Sequence, residues 1–483
     1  MVSVKGLQLT LLVVLLNATA GNAYRWFNWQ YEVTCESDGY YAPLTEKGLS
    51  AWLKVQYTQG SHIKVVGNGH GFNNLTQCVD TSLSNKTSHI VSMTNFKSLS
   101  VNKTAGTVTF GAGWDVFDII NELKAYDLSF DNLGAERVQN FVGAASSGTH
   151  GTGAEIQNIA SQITGMRVLD AMGQTHIFND TATPEMMKAF RINLGALGVI
   201  TEVTVKVQPT ILLKKTTKVL NATSNYTEMY SQMSELYKQH DRMTFWGPHF
   251  DWNEETKTFD IEPQYYYSYW EPTNYTDVQN CTVNYCSDGC GYCLSEYTCY
   301  GETSDAVSDP PQGTCSRNFY AEIEHFFPIK YLTDAAVNYT MFQRSQIPQM
   351  TAGYNDVMIF QIRHIRGDDS YMSPLNTYNL PDGESDVFGV IEIDWIQKYN
   401  NFTALWQNQD MAFSFLPQFG ETYNVTAHWN KMLPPTPQYN LERYPMLPKF
   451  LAIQEQMDPK CQFVNTFLYE QLGIERCANY LTM

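Results

Sequence analysis

Two glycine-rich segments constrain this chain more than any other feature of its sequence. The first reads Val65-Val66-Gly67-Asn68-Gly69-His70-Gly71-Phe72-Asn73 and follows an apolar run, His62 to Val66, that predicts a strand. Glycines at alternate positions let backbone N–H groups approach a phosphate closely, because no Cβ intervenes. The central His70 would then lie beside whatever the loop holds. A glycine-rich turn with an incidental histidine is the alternative.

The second segment, Phe141 to Gly153, is rich in small residues and hydrogen-bond donors. Its thirteen residues include four glycines and four hydroxyl side chains. Such a stretch excludes bulk and offers N–H and O–H groups, which suits an extended pyrophosphate. A tight crossing of two backbones also demands small residues and is the alternative here. The density of donors favours a bound ligand.

Motifs of other phosphate-binding and catalytic folds are absent from the sequence. A dinucleotide-binding G-x-G-x-x-G fails at the first segment, because Phe72 stands at the third glycine position. The stretch from Gly148 to Gly153 is not preceded by a Val- and Ile-rich strand. There is also no Walker loop and no G-x-S-x-G elbow. The phosphate hypothesis therefore points away from those folds.

Length and charge narrow the class of protein further. The 483 residues allow two or three domains, and 43% hydrophobic with 13% aromatic residues indicate a globular chain. The net charge of −18 argues against nucleic acid, since a phosphate-binding surface needs an excess of Lys and Arg. The same charge argues against an anionic membrane surface and an acidic polymeric substrate.

The first residues are typical of a signal peptide. Lys5 precedes an apolar run from Leu7 to Leu16, and small residues follow at Ala18-Thr19-Ala20. We therefore predict a signal peptide over residues 1–23, with a short buried helix as the alternative. No later stretch has the roughly 18 uninterrupted apolar residues of a membrane span. The sequence thus predicts a secreted protein, extracellular or in the lumen of the secretory pathway, without a membrane span.

Cysteines and glycosylation sequons agree with that compartment. Ten cysteines remain after residue 23, an even number that suits disulfides. Six of them lie in an insert over residues 281–315, where Cys286-x-x-x-Cys290-x-x-Cys293 could suggest zinc, but disulfides are favoured and no metal is predicted. Asn-x-Ser/Thr sequons are dense and predict a glycoprotein. They include Asn74, Asn85, Asn102, Asn221, Asn225, Asn274, Asn338, Asn401 and Asn424.

Changes in residue composition along the chain predict three regions after the signal peptide. Residues 24–209 are rich in predicted strands and glycine, and residues 210–421 are rich in aromatic and acidic residues, which indicates a broad antiparallel sheet with helices on one face. Residues 422–483 contain a Pro-rich loop and a final helix. The elements predicted from periodicity are strands at Ser100 to Phe110 and Ile200 to Val207, and helices at Thr45–Gln59, Val116–Ala125 and Tyr444–Gln456.

Taken together, the two segments resemble the FAD-binding domain of the vanillyl-alcohol-oxidase type flavoproteins. The similarity is greatest to the aldonolactone oxidoreductase branch, which includes gulonolactone, galactonolactone and arabinonolactone oxidases and the alditol oxidases. It covers almost the whole chain after residue 23. The matching strings are Trp26-Phe27-Asn28-Trp29, Val65 to Phe72, Asn132 to Ala135, Gly143 to Gly153, Arg191 to Thr201, Trp246 to His249, Arg363 to Asp369 with Ser373-Pro374, His428-Trp429-Asn430-Lys431, and Met457 to Asn465.

The resemblance implies an α+β fold, with a two-part FAD-binding domain and a substrate domain that contains a large antiparallel sheet flanked by helices. The three regions above would be the FAD-binding domain, the substrate or cap domain, and a C-terminal segment that returns to the flavin. His70 would be bonded to the flavin 8α-methyl group. The implied cofactor-binding residues are Val66, Gly67, Asn68, Gly69, His70, Gly71, Phe72, Ser147, Gly148, Thr149, His150, Thr152, Gly153, Gly198, Ile200 and His428.

The implied catalytic residues are Gln361, Arg363 and Lys431, and here the sequence departs from the family. A glutamate two residues before the arginine is Gln361 in this chain. An amide can hydrogen-bond a hydroxyl, but it cannot accept a proton or balance the charge of Arg363. Gly71 also replaces the usual serine after the histidine. For Cys78 a disulfide is favoured, with Cys35 as the partner considered, over a second flavin link.

The resemblance implies a secreted FAD-dependent oxidoreductase that oxidises an alcohol group of an aldonolactone, alditol or saccharide. Hydride would pass to flavin N5, and Lys431 or a neighbouring histidine would accept the hydroxyl proton or stabilise the reduced flavin. Molecular oxygen is the expected acceptor, giving H2O2, with a dehydrogenase as the alternative. A second hypothesis, kept open by Gln361, is a catalytically impaired secreted glycoprotein that binds a sugar or protein partner.

Overall fold

The computed structural model of the chain describes most of the protein after the predicted signal peptide. The described residues are 24–79, 86–221, 225–247, 250–253, 255–256, 258–261, 264–275, 296–307, 320–346, 357–396, 416, 418–433 and 442–481. The predicted signal peptide and most of the Cys-rich insert lie outside them. Among the described residues, no helix is long and apolar enough to cross a membrane.

Twelve strands and four α-helices build the amino-terminal part of the described chain. The strands are β1 (Tyr24–Phe27), β2 (Thr34–Ser37), β3 (Gly39–Tyr41), β4 (His62–Val66), β5 (Ser88–Ser92), β6 (Leu99–Asn102), β7 (Thr107–Gly111), β8 (Leu128–Ser129), β9 (Ile163–Leu169), β10 (Thr175–Asn179), β11 (Val199–Lys206) and β12 (Gln208–Pro209). The helices are α1 (Glu46–Gln59), α2 (Val116–Lys124), α3 (Phe141–Ser146) and α4 (Pro184–Phe190).

These strands form two main sheets that lie beside each other. A parallel sheet has the order β3-β5-β4, and an antiparallel sheet has the order β10-β9-β11-β7-β6. Leu49 and Leu53 of α1 share one apolar core cluster with Ile63 of β4 and Val199 of β11. The parallel sheet therefore places the loop after β4 next to the start of β11, an inner strand of the larger sheet.

Most elements predicted from periodicity for this part of the chain are confirmed. Helix α1 begins after Thr45, whose side chain caps the first turn by accepting from Gly48 N–H. Strand β11 matches the predicted alternation within one residue at each end. The single strand predicted from Ser100 to Phe110 is wrong: β6 and β7 pair as a hairpin around Gly106, which adopts a positive φ of 62°.

The second part of the described chain is dominated by one ten-stranded sheet. Its strands are β13 (Leu212–Asn221), β14 (Arg242–Trp246), β15 (Phe250–Asn253), β16 (Thr258–Ile261), β17 (Gln264–Pro272), β18 (Tyr297–Glu302), β19 (Tyr320–Pro328), β20 (Val357–Arg366), β21 (Val387–Ile396) and β22 (Thr426–Ala427). The main path is β18-β13-β17-β14-β20-β21-β19-β22, with β15 paired to β20 and β16 paired to β15, and all of these pairs are antiparallel. The predicted antiparallel sheet is confirmed.

Helices cover one face of this sheet and leave the other to the amino-terminal part. The helices of this region are α5 (Tyr226–Tyr237), α6 (Thr303–Val307) and α7 (Leu332–Gln346). Helices α5 and α7 pack on each other, α5 on β14 and α7 on β21. Phe360 and Ile362 of β20 join their apolar core. Because side chains alternate along a strand, Gln361 and Arg363 point to the opposite face.

The end of the chain is more helical than expected. It contains α8 (Leu447–Met457), α9 (Thr466–Leu472) and α10 (Ala478–Leu481). The helix predicted at Tyr444–Gln456 exists as α8 but begins at Leu447, where Pro448 occupies its first turn. It is not the final helix, because Asn465 caps α9 by accepting from Leu468 N–H. The chain then turns at Gly473, with a φ of 60°.

Two disulfides lie within the described residues. Cys35 is bonded to Cys78, the pairing considered from the sequence, and this removes Cys78 as a flavin ligand. Cys461 is bonded to Cys477 in the C-terminal region. Cys299 is also disulfide-bonded. The remaining cysteines of the insert lie outside the described residues.

Candidate functional site

A groove of about 250 Å3 runs between the loop after β4 and the loops around α3 and β11. One wall is the continuous run from Lys64 to Gly71. The facing wall combines residues from four other loops. These are Ala112, Gly113, Asp115, Gln139, Asn140, Val142, Gly143, Ala144, Ser146, Ser147, Asn193, Leu194, Gly195, Gly198, Ile200 and Asn430. Glycine and other small residues dominate both walls, so an elongated ligand can lie against backbone.

The glycines of the first wall are required by close approach. A Cβ on Gly67 would lie 2.7 Å from the Asn140 Cβ, and a Cβ on Gly71 would lie 2.3 Å from Asn430 Oδ1. Gly69 adopts a φ of 69°, which favours glycine. The loop therefore brings its backbone to the facing wall with no room for side chains. Such geometry fits a ligand held through N–H groups, as a pyrophosphate is.

Asn140 fixes the second wall and was not singled out from the sequence. Its side chain accepts from Gly143 N–H at 2.9 Å and donates to the carbonyl oxygens of Ala112 at 2.9 Å and Trp114 at 3.1 Å. It therefore caps α3 and ties that helix to the loop after β7. The only sequence signal was its position before a run of small residues.

His70 lies at one end of the groove against an aromatic residue. Its ring stacks on Trp29, with ring centroids 5.5 Å apart and an interplanar angle of 10°. Burial, with a smaller contribution from Lys431, lowers the pKa of His70 to about 4. The imidazole is therefore neutral at neutral pH and keeps a nitrogen lone pair. A neutral imidazole is the form that can act as a nucleophile.

An aromatic group leads from His70 to a charged region on the large sheet. The rings of Trp29 and Phe72 each pack against Tyr320, with centroids 5.3 and 5.1 Å apart. Lys431 Nζ lies 5.1 Å from the Phe72 ring centroid. A side-chain to main-chain hydrogen bond also joins the two regions, because the Asn73 side chain donates through Nδ2 to Lys431 O at 2.7 Å. The groove and the charged region are thus neighbours.

The charged region, here called the charged face, consists of side chains from three adjacent strands and two loops. Six of them alternate along the strands: Glu322 and Glu324 on β19, Gln361 and Arg363 on β20, and Glu392 and Asp394 on β21. The register pairs Glu324 with Glu392 and Glu392 with Gln361. His150, His428 and Lys431 complete the group. All nine side chains are buried or nearly so.

Arg363 is the centre of this network. Its Nη2 donates to Glu324 Oε1 at 2.8 Å and forms an ion pair with Glu392. When the Gln361 side-chain amide is oriented with its nitrogen toward Glu392, that nitrogen donates to both carboxylate oxygens of Glu392 at 3.2 Å. The expectation that Gln361 leaves Arg363 unbalanced is therefore corrected. Two carboxylates from neighbouring strands balance the guanidinium, and Gln361 holds one of them.

The pKa values of the carboxyl groups shift in opposite directions within the charged face. Burial alone would raise the pKa of Glu324, but His150 and Arg363 together hold it well below its usual range. His150 Nε2 lies 2.9 Å from Glu324 Oε1. Burial raises the pKa of Glu322, although Lys431 contacts it and opposes the shift. Burial and the charge of Glu322 also raise the pKa of Asp394 well above its usual range.

Lys431 and His428 have opposite protonation preferences. Burial would lower the pKa of Lys431, but Glu322 and Glu324 raise it above its ordinary value, so the ammonium stays charged. Burial lowers the pKa of His428 to about 3, and its Nδ1 accepts from Asn430 N–H at 3.1 Å. Of these two, only Lys431 carries a charge at neutral pH.

The structure divides the predicted site residues into four groups, three of which lie in or between the groove and the charged face. The groove contains Val66, Gly67, Asn68, Gly69, His70, Gly71, Ser147, Gly198 and Ile200. The charged face contains His150, Gln361, Arg363, His428 and Lys431. Phe72 bridges the two regions through its ring. The assignment of individual roles to these residues stays a prediction.

Four predicted cofactor-binding residues lie apart from the groove-lining set. Gly148 packs against Pro374, and the methyl group of Thr149 packs against Gly134, where a side chain would not fit. Thr152 Oγ1 donates to Met243 O at 2.6 Å, and Gly153 N–H donates to His364 O at 2.8 Å. The last two residues join the amino-terminal part to the large sheet, which is a structural use of the same small-residue segment.

Several residues of the site were missed by sequence reasoning. The groove adds Lys64, Asn140 and the loop from Asn193 to Gly195, and the charged face adds Glu322, Glu324, Glu392 and Asp394. The last four occupy alternate positions of ordinary-looking strands. Only the pairing of β19, β21 and β20 brings them together.

Comparison with known proteins agrees with a cofactor-binding role for the part of the chain that forms most of the groove. An FAD binding domain is matched over residues 37–179. The chain contains an FAD-binding domain of the vanillyl-alcohol-oxidase type. L-gulonolactone oxidase of Scyliorhinus torazame is 30% identical over 232 residues, which are 47% of this chain and 50% of that protein. L-gulono-1,4-lactone dehydrogenase of Mycobacterium tuberculosis is 23% identical over 462 residues, 93% of this chain and 99% of that protein.

The fold of this flavoprotein-type chain is also found among solved structures. Cholesterol oxidase from B. sterolicum superposes with a TM-score of 0.72 at 15% identity, covering 94% of this chain and 98% of that one. At this identity the likeness concerns the fold alone. The predicted α+β class, with an FAD-binding domain and a large antiparallel sheet flanked by helices, is confirmed. The alignment to the Scyliorhinus enzyme spans only half of that enzyme's length.

Proposed function

We propose that this protein is an FAD-dependent oxidoreductase that acts on the CH–OH group of a sugar lactone or a related polyol. The observation that carries the proposal is the charged face beside the groove. Arg363 and Lys431 lie among buried carboxylates, and Lys431 Nζ lies over the ring of Phe72, two residues after His70. The relatives named as gulonolactone oxidase and gulonolactone dehydrogenase support this substrate class.

The groove fits FAD through its own residues. Gly67 to Gly71 would approach the diphosphate with backbone N–H groups, since side chains are excluded there. We further propose that His70 is bonded to the flavin 8α-methyl group. The neutral imidazole and its stacking on Trp29 support this role, because ring orientation and nitrogen nucleophilicity are both set before the cofactor arrives.

When bound, FAD supplies the hydride acceptor, and the charged face would handle the substrate. Arg363 would hold the substrate's oxygens through its remaining N–H groups, while Glu324 and Glu392 fix its plane. Lys431, which stays charged, would stabilise negative charge as the hydroxyl proton leaves. Glu322 contacts Lys431 and has a raised pKa, so it is suited to take one proton from the Lys431 ammonium while the lysine nitrogen takes the hydroxyl proton in its place.

We also propose that the protein is secreted and glycosylated and that O2 reoxidises the flavin. The disulfides among the described residues and the exposed sequon residues Asn74, Asn102 and Asn274 support the first part. Expression in a secreting host tests it: the medium should contain protein that loses mass on N-glycanase treatment. Protein retained in the cytosol without glycans would contradict it.

The purified protein tests the main proposal directly. It should be yellow, and a panel of aldonolactones, alditols and oligosaccharides should include a substrate that produces H2O2 in air. Reduction of an artificial dye without peroxide would instead indicate a dehydrogenase. Colourless protein would contradict the proposal and favour the impaired glycoprotein. Yellow protein that no member of the panel reduces would contradict the substrate class.

A further inference from the structure

Lys64 is a buried cation for which the described residues provide no partner. It lies in the middle of β4 with 4% of its surface exposed. Its Nζ has no hydrogen-bond partner among the described residues. Burying an unpaired charge is costly, so proteins rarely retain one without a compensating anion. Burial lowers the pKa of Lys64 to about 7, with no opposite charge to offset the shift.

The position of Lys64 points to the groove. It is the only Lys or Arg among the described residues that line the groove. A Cβ on Gly195 would lie 3.8 Å from Lys64 Nζ, so the amine lies close to a residue that has no side chain. Gly195 itself lines the groove, and Gly67 begins the phosphate-type loop three residues after Lys64. The amine therefore lies at the groove wall, next to Gly195.

We propose that the Lys64 ammonium is the counter-charge for the diphosphate of bound FAD. This proposal rests on the cofactor assignment of the groove. In oxidised FAD the diphosphate carries the negative charge, whereas the flavin and adenine rings and the ribityl chain are neutral. Backbone N–H groups provide direction but no net charge. Asp115, which also lines the groove, has the opposite sign, so among the described groove residues Lys64 is the one able to offset part of the charge of the diphosphate.

A purely structural role makes the opposite prediction. If Lys64 only fills space in the core, its replacement by Met should leave cofactor binding unchanged, because the two side chains have similar volume and shape. If Lys64 is a counter-charge, Lys64→Met should leave the flavin-free chain at least as stable as the wild type, since an unpaired buried cation is removed. The same variant should bind the diphosphate more weakly.

The experiment uses flavin-free full-length chain, prepared by expression in riboflavin-starved cells, with ADP as the probe of the diphosphate site. We expect Lys64→Met to weaken ADP binding by about ten- to a hundredfold in calorimetric titration, the range for loss of a charge-assisted hydrogen bond. Lys64→Arg should remain within a few-fold of the wild type. Lys54→Met, which removes an exposed lysine on α1, should have no effect.

Flavin content gives a second readout that does not depend on turnover. Cells with normal riboflavin should yield Lys64→Met protein with less flavin per chain than wild type or Lys64→Arg. Equal ADP affinity for Lys64→Met and wild type would overturn the proposal. If Lys64→Met does not fold, Lys64→Gln takes its place in the same comparison. A wild-type chain that binds neither ADP nor FAD would overturn the cofactor assignment as well.

Discussion

The groove and the charged face are neighbours, but they are made in different ways. The groove is made of backbone: Gly67, Gly69 and Gly71 have no side chains to offer, and Asn140 serves mainly to position two loops. The charged face is made of side chains from strands whose backbones are already paired with one another. The groove can hold a large ligand by its shape and its N–H groups. The charged face can orient a small ligand and take a proton from it.

This difference separates what each region contributes. A backbone cradle tolerates changes in its side chains, and it requires glycine most where an added Cβ would meet a fixed atom, as at Gly67, rather than a side-chain end, as at Gly71. In a network of buried charges the replacement of any member is costly, because removal of one partner leaves another charge unpaired. We therefore expect changes in the groove to alter cofactor attachment, and changes in the charged face to alter stability and turnover. The predictions below test that separation, from the largest expected effect to the smallest.

His70→Ala should remove covalent attachment completely. Wild-type protein precipitated with acid should retain its flavin absorbance, and the variant should release its flavin into the supernatant. The imidazole nitrogen is the only proposed point of attachment, and Cys78 is already bonded to Cys35. Covalent flavin remaining in His70→Ala protein would show that another residue forms the link. His176→Ala, at a histidine in β10 outside the groove-lining set, is the matched control.

Glu324→Gln should lower the free energy of unfolding by about 3 kcal/mol at about pH 7, because Arg363 and His150 lose a buried partner. The pKa of Glu324 is lowered on folding, so its contribution is present at neutral pH and is lost as the pH falls through the folded value. The difference between variant and wild type should therefore shrink in acid. Denaturant titration at several pH values measures it, and a pH-independent difference would contradict the account.

Asp394→Asn should behave in the opposite way. The pKa of Asp394 is raised on folding, so its contribution is present below about pH 4 and is lost as the pH rises. Its Oδ1 has no hydrogen-bond partner among the described residues. We expect the variant to match or exceed wild-type stability by about 1 kcal/mol at about pH 7, and to lose that advantage near pH 4. A loss as large as that of Glu324→Gln would contradict the raised pKa of Asp394.

Gly71→Ala should have the smallest effect, about 1 kcal/mol of stability, because the added Cβ meets the mobile end of Asn430 rather than backbone. Asn430→Ala in the same chain should restore most of the loss, which a double-mutant cycle would report as coupling. Additive losses would show that Asn430 does not account for glycine at this position.

Sequence reasoning located the groove better than the charged face, and the reason is physical. The loop from Gly67 to Gly71 is contiguous, and its glycine spacing is a local signal. Glu322, Gln361 and Glu392 lie on three strands far apart in the chain, and their proximity depends on the order β19-β21-β20. Glu322 and Glu324 in isolation follow the plain alternation of a strand. For this reason Gln361 suggested a lost carboxylate, whereas Glu392 supplies one from the adjacent strand.

The hairpin formed by β6 and β7 shows the same limit on a smaller scale. Ser100 to Phe110 alternates in polarity across the turn, so periodicity alone does not reveal the reversal at Gly106. The helix cap at Thr45 is local, in contrast, and helix α1 follows its sequence signal closely.

The division between a backbone groove that holds the cofactor and a charged face that handles the substrate is tested most directly by anaerobic mixing with the best lactone of the panel. Arg363→Met protein should keep its yellow flavin, yet the lactone should bleach it at least about a hundredfold more slowly than wild type. Arg366→Met, three residues along the same strand with its half-exposed partner Asp386, should bleach at the wild-type rate. Bleaching of Arg363→Met at the wild-type rate would contradict the account.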